Sequence, residues 1–361
     1  MPVNNALKPV KSRLPGLDYL RGLSAFGIMT YHYSSWNFGE QSANSFLGRV
    51  GIYGVAIFYI LSGLTLSYIC SSKLQLKSDD LGDFYKKRLF RIFPLLWLAT
   101  LLSILLSKHI PNIIDVILNL TGLFGLVKWD TYFATGAWSI GNELCFYLTF
   151  PLLVFLLSKS RIGLAFFIIL ACASYSYFAF EAMKPNVPLS TQWHTYTNPL
   201  NQFLFFLGGV VLGKFIQPTD SETFQRVTLG IVALTAFILF PVSDNTLDLV
   251  IGTNRLVFTG ICFLLCYCFF STAHAPTFID KPLSLLGKVS YSLYLLHPLV
   301  YAVTKAAALV AARRIAVPSI YVMLVSMALS VVASYFSYHY FERFFIRISH
   351  RRSAYPIIPN N

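Results

Sequence analysis

The sequence predicts an all-α, polytopic integral membrane protein with about ten transmembrane helices. Of its 361 residues, 56% are hydrophobic and only 12% are charged, and the mean hydropathy is +0.62. Soluble domains carry about twice that share of charge. Windows of about 18 to 25 apolar residues recur along nearly the whole chain, and in hydrocarbon such segments satisfy their backbone groups only as helices. We therefore expect one membrane domain over residues 1–361, with a core of about 14–346.

The ten predicted spans are separated by short connections. The apolar stretch 112–127 is too short to cross a bilayer, so we expect it to form an interfacial or re-entrant helix. Arg21 interrupts the first apolar run and no convincing cleavage site follows, so we expect this span to be retained. The predicted spans lie near 17–36, 48–70, 90–107, 138–158, 162–180, 199–216, 227–242, 254–272, 289–310 and 317–341.

The positions of the basic residues predict the topology. A net charge of +13 would suggest a nucleic-acid partner for a soluble chain, but here the charges cluster at every second span boundary. The positive-inside rule then puts both termini in the cytoplasm. We therefore expect the lipid bilayer, and no nucleic acid, as the partner of these charges. Arg313 and Arg314 are exceptions. The clustered residues are Lys8, Lys11, Arg13, Lys73, Lys77, Lys86, Lys87, Arg88, Arg91, Lys159, Arg161, Lys214, Arg226, Lys281, Lys288, Arg343, Arg347, Arg351 and Arg352.

The cysteines give no sign of a metal site. All six fall in or at the ends of apolar spans and lack paired metal-ligand spacing. We therefore expect them to act as small hydrophobic side chains, with no bound metal and no disulfide. They are Cys70, Cys145, Cys172, Cys262, Cys266 and Cys268.

The first span, "LDYLRGLSAFGIMTYHYSSW", contains an arginine and a histidine. Arg21 and His32 are eleven positions apart, which in a helix is about three turns with roughly 20° of drift and about 16 Å of rise. They share one face, which must meet protein or water because a charge in lipid costs several kcal/mol. Alternatively, Arg21 only reaches the interface and His32 is a hydrogen-bonded structural residue.

Two further spans contain buried polar groups. "WSIGNELCFYLTF" puts Asn142 and Glu143 inside the fourth span, where a carboxylate is costly unless it is paired or protonated. "GKVSYSLYLLHPLV" puts Ser290, Tyr294 and His297 on one face of the ninth span. These groups either support a reaction site or only bond neighbouring helices.

The loop "FYKKRLFRIFP" forms a basic cluster immediately before the third span. Arg88 and Arg91 are three positions apart and therefore neighbours on a helix. Guanidinium groups match phosphate oxygens in geometry as well as in charge. The alternative is that the cluster, which also includes Lys87, controls topology or contacts anionic lipid.

Seven signatures in a fixed order resemble the acyltransferase-3 family of integral-membrane acyltransferases, which modify cell-surface polysaccharides and other extracytoplasmic acceptors. They are "LRGLSAFGIMTYH", "GVAIFYILSG", "FYKKRLFRIFP", "WSIGNELCFY", "FFLGG", "GKVSYSLYLLHP" and "YFERFF". The similarity extends over about residues 17–345. One departure is Phe344 after Glu342 and Arg343, where the family often has proline, so we assign no role to Glu342.

The resemblance implies about ten transmembrane helices, acyl-CoA as a cytoplasmic donor substrate, no bound cofactor and an acceptor on the far side. Glu143 would support the imidazolium of His32 if the fold brings the two together. The resemblance does not decide whether His32 acts as a general base or as a nucleophile. The expected roles are catalysis for Arg21, His32 and Glu143, acyl-CoA binding for Lys87, Arg88 and Arg91, and support from Asn142, Ser290, Tyr294 and His297.

The resemblance favours O-acetylation of an envelope glycan, either lipopolysaccharide O-antigen or exopolysaccharide, in the bacterial cytoplasmic (inner) membrane. Succinyl transfer is the alternative for the acyl group. The rival interpretation is a secondary transporter or flippase that uses the buried arginine, histidine and glutamate as a proton relay. The sequence shows no convincing repeat of its two halves, which weighs against a transporter.

Overall fold

The computed structural model describes residues 14–71, 74, 76–107, 110–216, 223–270, 272, 274–313 and 316–350. These residues form helices and connecting loops, with no strand among them. Seven of the basic residues used to predict the topology lie outside the described residues, namely Lys8, Lys11, Arg13, Lys73, Arg314, Arg351 and Arg352. The α-helices are α1 (Pro15–Phe38), α2 (Phe46–Cys70), α3 (Ser78–Ser107), α4 (Ile113–Thr121), α5 (Phe124–Val127), α6 (Ala137–Lys159), α7 (Arg161–Tyr177), α8 (Trp193–Tyr196), α9 (Pro199–Phe215), α10 (Thr223–Leu239), α11 (Gly252–Phe270), α12 (Thr277–Ala311), α13 (Ser319–Phe336) and α14 (Arg343–His350).

Each predicted span coincides with a helix, and the stretch 112–127 forms the two short helices α4 and α5. Among the described residues, seven helical segments are long and apolar enough to cross a membrane: α2, α3, α6, α11 and α12, α7 with its continuation to Ala182, and α13 with its continuation to Ser349. Helices α9 and α10 have 17 residues each, and α1 has 24 but is less apolar. The chain is a multi-pass helical membrane protein. The count of ten spans and the cytoplasmic side of the termini remain predictions.

Helix α1 packs between α2, α11, α12 and α13, and two glycines allow its contact with α12. A Cβ on Gly22 would lie 2.6 Å from the backbone nitrogen of Gly287, so a larger residue would push the helices apart. His32 contacts His297 ten residues further along both helices. Helices α1 and α12 therefore run parallel, and the polar residues of both lie at matching depths.

Helix α2 runs antiparallel to α1 and packs closely on α9. Arg21 contacts Thr65, whereas Tyr31 lies against Gly51, so the numbering of the two helices increases in opposite directions. A Cβ on Gly209 would lie 2.2 Å from the carbonyl oxygen of Ile60. This close approach explains the glycines of the "FFLGG" signature as packing residues. The tight α1, α2 and α9 contacts hold one wall of the cavity described next.

Candidate functional site

Helices α1, α2, α3, α6 and α12 surround a polar cavity. Its volume is about 100 Å³, several times what one water molecule needs. Three predicted arginines line it, Arg21 from α1 and Arg88 and Arg91 from α3. Glu143, Ser290 and Tyr294 line it as well, so the fold brings six of the ten predicted site residues into one space. The predicted residues that do not line the cavity are His32, Lys87, Asn142 and His297.

Arg21 is held in place at the basic end of the cavity. Its Nη1 lies 3.3 Å from Asp18 Oδ1, one turn earlier on α1. Its Nη2 donates to Thr65 Oγ1 on α2 at 3.3 Å. Both distances are long for hydrogen bonds, so these contacts orient the guanidinium group without saturating it.

The guanidinium groups of Arg88 and Arg91 make fewer hydrogen bonds to the described residues than that of Arg21. The guanidinium carbon of Arg88 lies 5.6 Å from the Phe84 ring centroid and 5.7 Å from that of Tyr147, and its buried Nε has no hydrogen-bond partner among the described residues. Arg91 is exposed and makes no hydrogen bond or ion pair with a described residue. This end of the cavity therefore offers several guanidinium donors to an anionic ligand.

Glu143 lies in the middle of the cavity wall. Its Oε1 accepts hydrogen bonds from Ser62 Oγ at 2.6 Å and from the hydroxyl of Tyr147. Ser139, Glu143 and Tyr147 follow one another at four-residue intervals on α6, with about 6 Å of rise per interval. Tyr147 is next to Arg88, so Glu143 lies about one turn further into the cavity than the basic end.

Tyr294 closes the other end of the cavity. Its hydroxyl donates to the carbonyl oxygen of Gly136 at 3.0 Å and accepts from Ser139 Oγ at 2.9 Å. Gly136 has φ of 84°, and a Cβ there would lie 2.9 Å from the Tyr294 hydroxyl. Only glycine combines that backbone conformation with this contact. The Phe58 ring packs edge-on against Tyr294 at 5.7 Å and completes the closed end.

His32 and His297 form a stacked, hydrogen-bonded pair beyond Tyr294. His32 Nδ1 lies 2.8 Å from His297 Nε2, and the ring centroids are 5.1 Å apart. On its other side, His32 stacks on Trp36 at 5.2 Å. His297 is 1% exposed, whereas His32 is partly exposed. The two predicted histidines therefore form one hydrogen-bonded unit. Neither lines the cavity, whereas Tyr294 does, and its ring centroid lies 6.3 Å from that of His297.

The hydrogen bonds of this pair assign the tautomers when both rings are neutral. His297 Nδ1 lies 2.9 Å from the carbonyl oxygen of Leu293, which only accepts, so this nitrogen carries the hydrogen. Its Nε2 is then an acceptor, and His32 Nδ1 must donate to it. The lone pair of His32 is consequently on Nε2. That atom is the basic or nucleophilic position of the pair.

The contacts of Glu143 and Asn142 differ from those expected for residues that support the reaction at His32. The hydrogen bonds of Glu143 go to Ser62 and Tyr147, not to His32, so the condition for its supporting an imidazolium is not met by the described contacts. Asn142 donates to the Thr197 carbonyl oxygen at 3.0 Å and to the Tyr59 hydroxyl at 3.3 Å, bracing α6.

Ser290 lines the cavity, but its hydroxyl donates to its own helix, at the Gly287 carbonyl oxygen, over 2.9 Å. It stabilises α12 and offers its remaining lone pair to the cavity.

The structure adds cavity residues that the sequence analysis did not single out: Ser62, Thr65 and Tyr147. Tyr147 had a usable signal, because it stands four residues after Glu143 on the same helix face. Ser62 and Thr65 had none, because isolated hydroxyl residues in an apolar span usually bond their own helix. Only the crossing of α2 with α1 and α6 makes them site residues.

Comparison with known proteins identifies the family. The sequence model described as "Acyltransferase domain" matches residues 14–339. O-acetyltransferase OatA from Staphylococcus aureus, in strains NCTC 8325 / PS 47 and COL, is 27% identical over 315 residues, which cover 79% of this chain and 50% of the relative. The chain thus spans about half the length of the curated relatives it matches, and no solved structure matches it. Because the family model matches residues 14–339, which are most of the chain and include every residue of the cavity and of the histidine pair, the chain belongs to the acyltransferase-3 family.

Proposed function

We propose that the protein is a membrane-bound O-acyltransferase that moves an acetyl group from cytoplasmic acetyl-CoA to a hydroxyl of an extracytoplasmic envelope glycan, in the bacterial cytoplasmic membrane. The observation that carries the proposal is the order of groups along the helices: unsaturated arginines, then a polar cavity, then a histidine with its Nε2 lone pair unused within the pair. Coenzyme A has an anionic nucleotide and a thin arm that ends in the thioester. Arg88 and Arg91 would bind the phosphates.

His32 Nε2 would then take the proton of the acceptor hydroxyl. The hydroxyl oxygen attacks the thioester carbonyl carbon, the carbon–sulfur bond breaks, and the imidazolium returns the proton to the leaving thiolate. An acyl-histidine route would use the same atom, with Nε2 attacking the thioester first. Either route requires the thioester to reach His32, which does not line the cavity, and Tyr294 is a cavity residue that neighbours the histidine pair.

The function is tested by mass analysis of surface glycans from cells with and without the protein, together with acetyl-CoA binding to the purified protein in lipid nanodiscs. We expect a mass difference of one acetyl group that His32→Ala abolishes while CoA affinity stays within about twofold of wild type. His274→Ala is the matched control, since that side chain is 69% exposed and outside the cavity. Normal acetylation by a folded His32→Ala protein would exclude the mechanism, and unmodified glycans without CoA binding would favour a transporter.

The tautomer assignment has its own test at His297. Phenylalanine there keeps a ring but cannot accept from His32 Nδ1, so we expect turnover to fall by roughly 10-fold or more. Glutamine offers an amide oxygen to the same hydrogen and should retain more activity than phenylalanine. The KM for acetyl-CoA should change little in both variants. Equal turnover of the two variants would show that His297 only fills space.

A further inference from the structure

We propose that Glu143 binds the pantetheine arm of the donor, accepting an amide N–H through its Oε2, and is not part of the acyl-transfer chemistry. The inference rests on the proposed function, because it takes coenzyme A as the donor. It assigns a contact partner to the carboxylate that the structure places inside the cavity and away from the histidine pair.

The two oxygens of Glu143 differ in their occupancy. Oε1 accepts from both Ser62 and Tyr147. Oε2 makes no hydrogen bond with any residue that the structure describes, and the side chain is partly exposed within the cavity. A carboxylate oxygen can only accept. The carboxylate is therefore fixed through one oxygen and presents the other to whatever enters.

The position of Glu143 matches the position of the amides in coenzyme A. The arm carries two amide groups between the pyrophosphate and the sulfur. Glu143 lies one helical turn from Tyr147, next to Arg88, and one turn from Ser139, which bonds Tyr294 at the closed end. With the phosphates at the arginines and the sulfur pointing towards Tyr294, the middle of the arm lies beside Glu143.

The chemistry of the wall makes an acceptor necessary there. An amide N–H that leaves water without a partner is costly. The hydroxyls of Tyr291, Ser290 and Tyr294 each donate to a backbone carbonyl, so their oxygens remain only as neutral acceptors. A carboxylate oxygen is the stronger acceptor, because hydrogen bonds to a charged group are roughly twice as strong as neutral ones. The charge of Glu143 also repels phosphate, so the nucleotide stays at the basic end and the neutral arm continues inward. Glu143 thus accepts a hydrogen bond from the arm and keeps the nucleotide from moving further into the cavity.

Glu143→Gln isolates the proposed contact. The amide oxygen can still accept from Ser62 and Tyr147, and the NH₂ group then replaces Oε2, so that a donor faces the ligand where an acceptor stood. The probes are coenzyme A and two analogues in which one or the other amide N–H is replaced by an ester oxygen. Binding is measured on the full chain in nanodiscs. Glu181→Gln is the matched control, since Glu181 is exposed and outside the cavity.

We expect the wild type to bind one ester analogue roughly 10- to 100-fold more weakly than coenzyme A, the range for a hydrogen bond to a charged group. Glu143→Gln should bind coenzyme A more weakly by a similar factor and should no longer distinguish it from that analogue. Wild-type protein that binds both analogues as tightly as coenzyme A would overturn the proposal without any variant.

Other outcomes separate this inference from the proposed function. If Glu143→Gln loses turnover while its CoA affinity is unchanged, Glu143 takes part in the acyl-transfer reaction, and the inference is overturned. Weaker binding of coenzyme A and both analogues by the same factor, with discrimination kept, would show a structural role and overturn it too. A wild-type protein that binds acetyl-CoA but fails the analogue test leaves the acyltransferase proposal standing, whereas absence of any CoA binding removes both.

Discussion

Two groups of arginines in this protein share a residue type and differ in what their donors do. Arg49 and Arg255 are 0% and 2% exposed and use their guanidinium groups on the protein itself. Arg88 and Arg91 line a cavity. Arg91 makes no hydrogen bond with a described residue, and neither does the buried Nε of Arg88. The first group completes the fold, and the second has donors left for a ligand.

Arg49 shows how fully a buried guanidinium can be used. It donates to the carbonyl oxygens of Phe237 and Ile238 at 2.7 Å, in the last turn of α10, and to that of Phe240 at 2.8 Å, immediately after the helix. It also donates to the Ala43 carbonyl oxygen at 3.1 Å. A helix end leaves such carbonyls unpaired and carries partial negative charge, so one arginine satisfies both needs.

Arg255 follows the same principle between α11 and α9. It donates to the carbonyl oxygen and the side-chain oxygen of Asn201, at 3.1 Å and 2.5 Å, and lies 4.3 Å over the Tyr175 ring. Burial of a charge is tolerated where the group is hydrogen-bonded by the protein. An arginine beside empty space with donors to spare is therefore the stronger indication of a binding site.

The largest expected effect is on stability, at Arg49. Arg49→Met keeps apolar bulk but leaves the carbonyls at the end of α10 without their donor, and each buried acceptor left unpaired costs about 1–3 kcal/mol, so we expect a loss of several kcal/mol. The measurement is the thermal unfolding midpoint in detergent, with the exposed Arg161→Met as control. CoA affinity of the protein that remains folded should be unchanged. An unchanged midpoint would show that α10 is held by other contacts.

The next effect is on binding, at Arg91. Arg91→Ala should lower CoA affinity roughly 10- to 100-fold, because it removes charge-assisted contacts with phosphate. The unfolding midpoint should change little, since Arg91 is exposed and makes no hydrogen bond or ion pair with a described residue. Arg161→Ala removes the same charge from an exposed site outside the cavity. Equal CoA affinity of the Arg91→Ala and Arg161→Ala variants would show that the basic cluster controls topology or contacts lipid and does not bind the donor.

The sequence predicted helix positions well because apolar length is a local property. Ten predicted spans correspond to helices, and Arg21 with His32 were correctly placed on a helix that meets other helices through its polar face. Which groups meet depends on crossings that no local pattern contains. The pairing of His32 with His297 and of Glu143 with Ser62 both join helices that are distant in the chain.

The structural arginines were missed for a related reason. Arg49 and Arg255 stand near the beginnings of apolar spans, where a positive charge reads as a boundary marker. Their partners are carbonyl oxygens, which every residue has, so no side-chain signature announces the contact. By contrast, Arg88 and Arg91 were found through their spacing, because a phosphate-binding pair of guanidinium groups requires neighbours on one helix face.

A smaller effect is expected when the charge at Arg21 is kept and its shape is changed. Arg21→Lys retains a cation beside Asp18 but loses the planar fork that contacts Asp18 and Thr65 together. We expect CoA affinity to fall by about 5- to 10-fold, roughly 1–1.4 kcal/mol. Arg21→Ala should lose more than the lysine variant. Wild-type CoA affinity in Arg21→Lys would show that only the charge matters at this position.

The smallest effect tests whether the Arg21 orientation matters at all. Thr65→Val removes the hydroxyl that accepts from Arg21 Nη2 and changes the side-chain volume little. One neutral acceptor is worth about 0.5–1.5 kcal/mol, so we expect CoA affinity to fall by about threefold, with no change in the unfolding midpoint beyond that range. Because the hydroxyl of Thr65 accepts from Arg21, we expect the same substitution to have no further effect in an Arg21→Ala background, which a double-mutant cycle measures. Additive losses would mean that Thr65 contacts the donor directly and does not orient Arg21. Arg21 would then resemble Arg88 and Arg91, whose guanidinium groups are not held by hydrogen bonds to described residues.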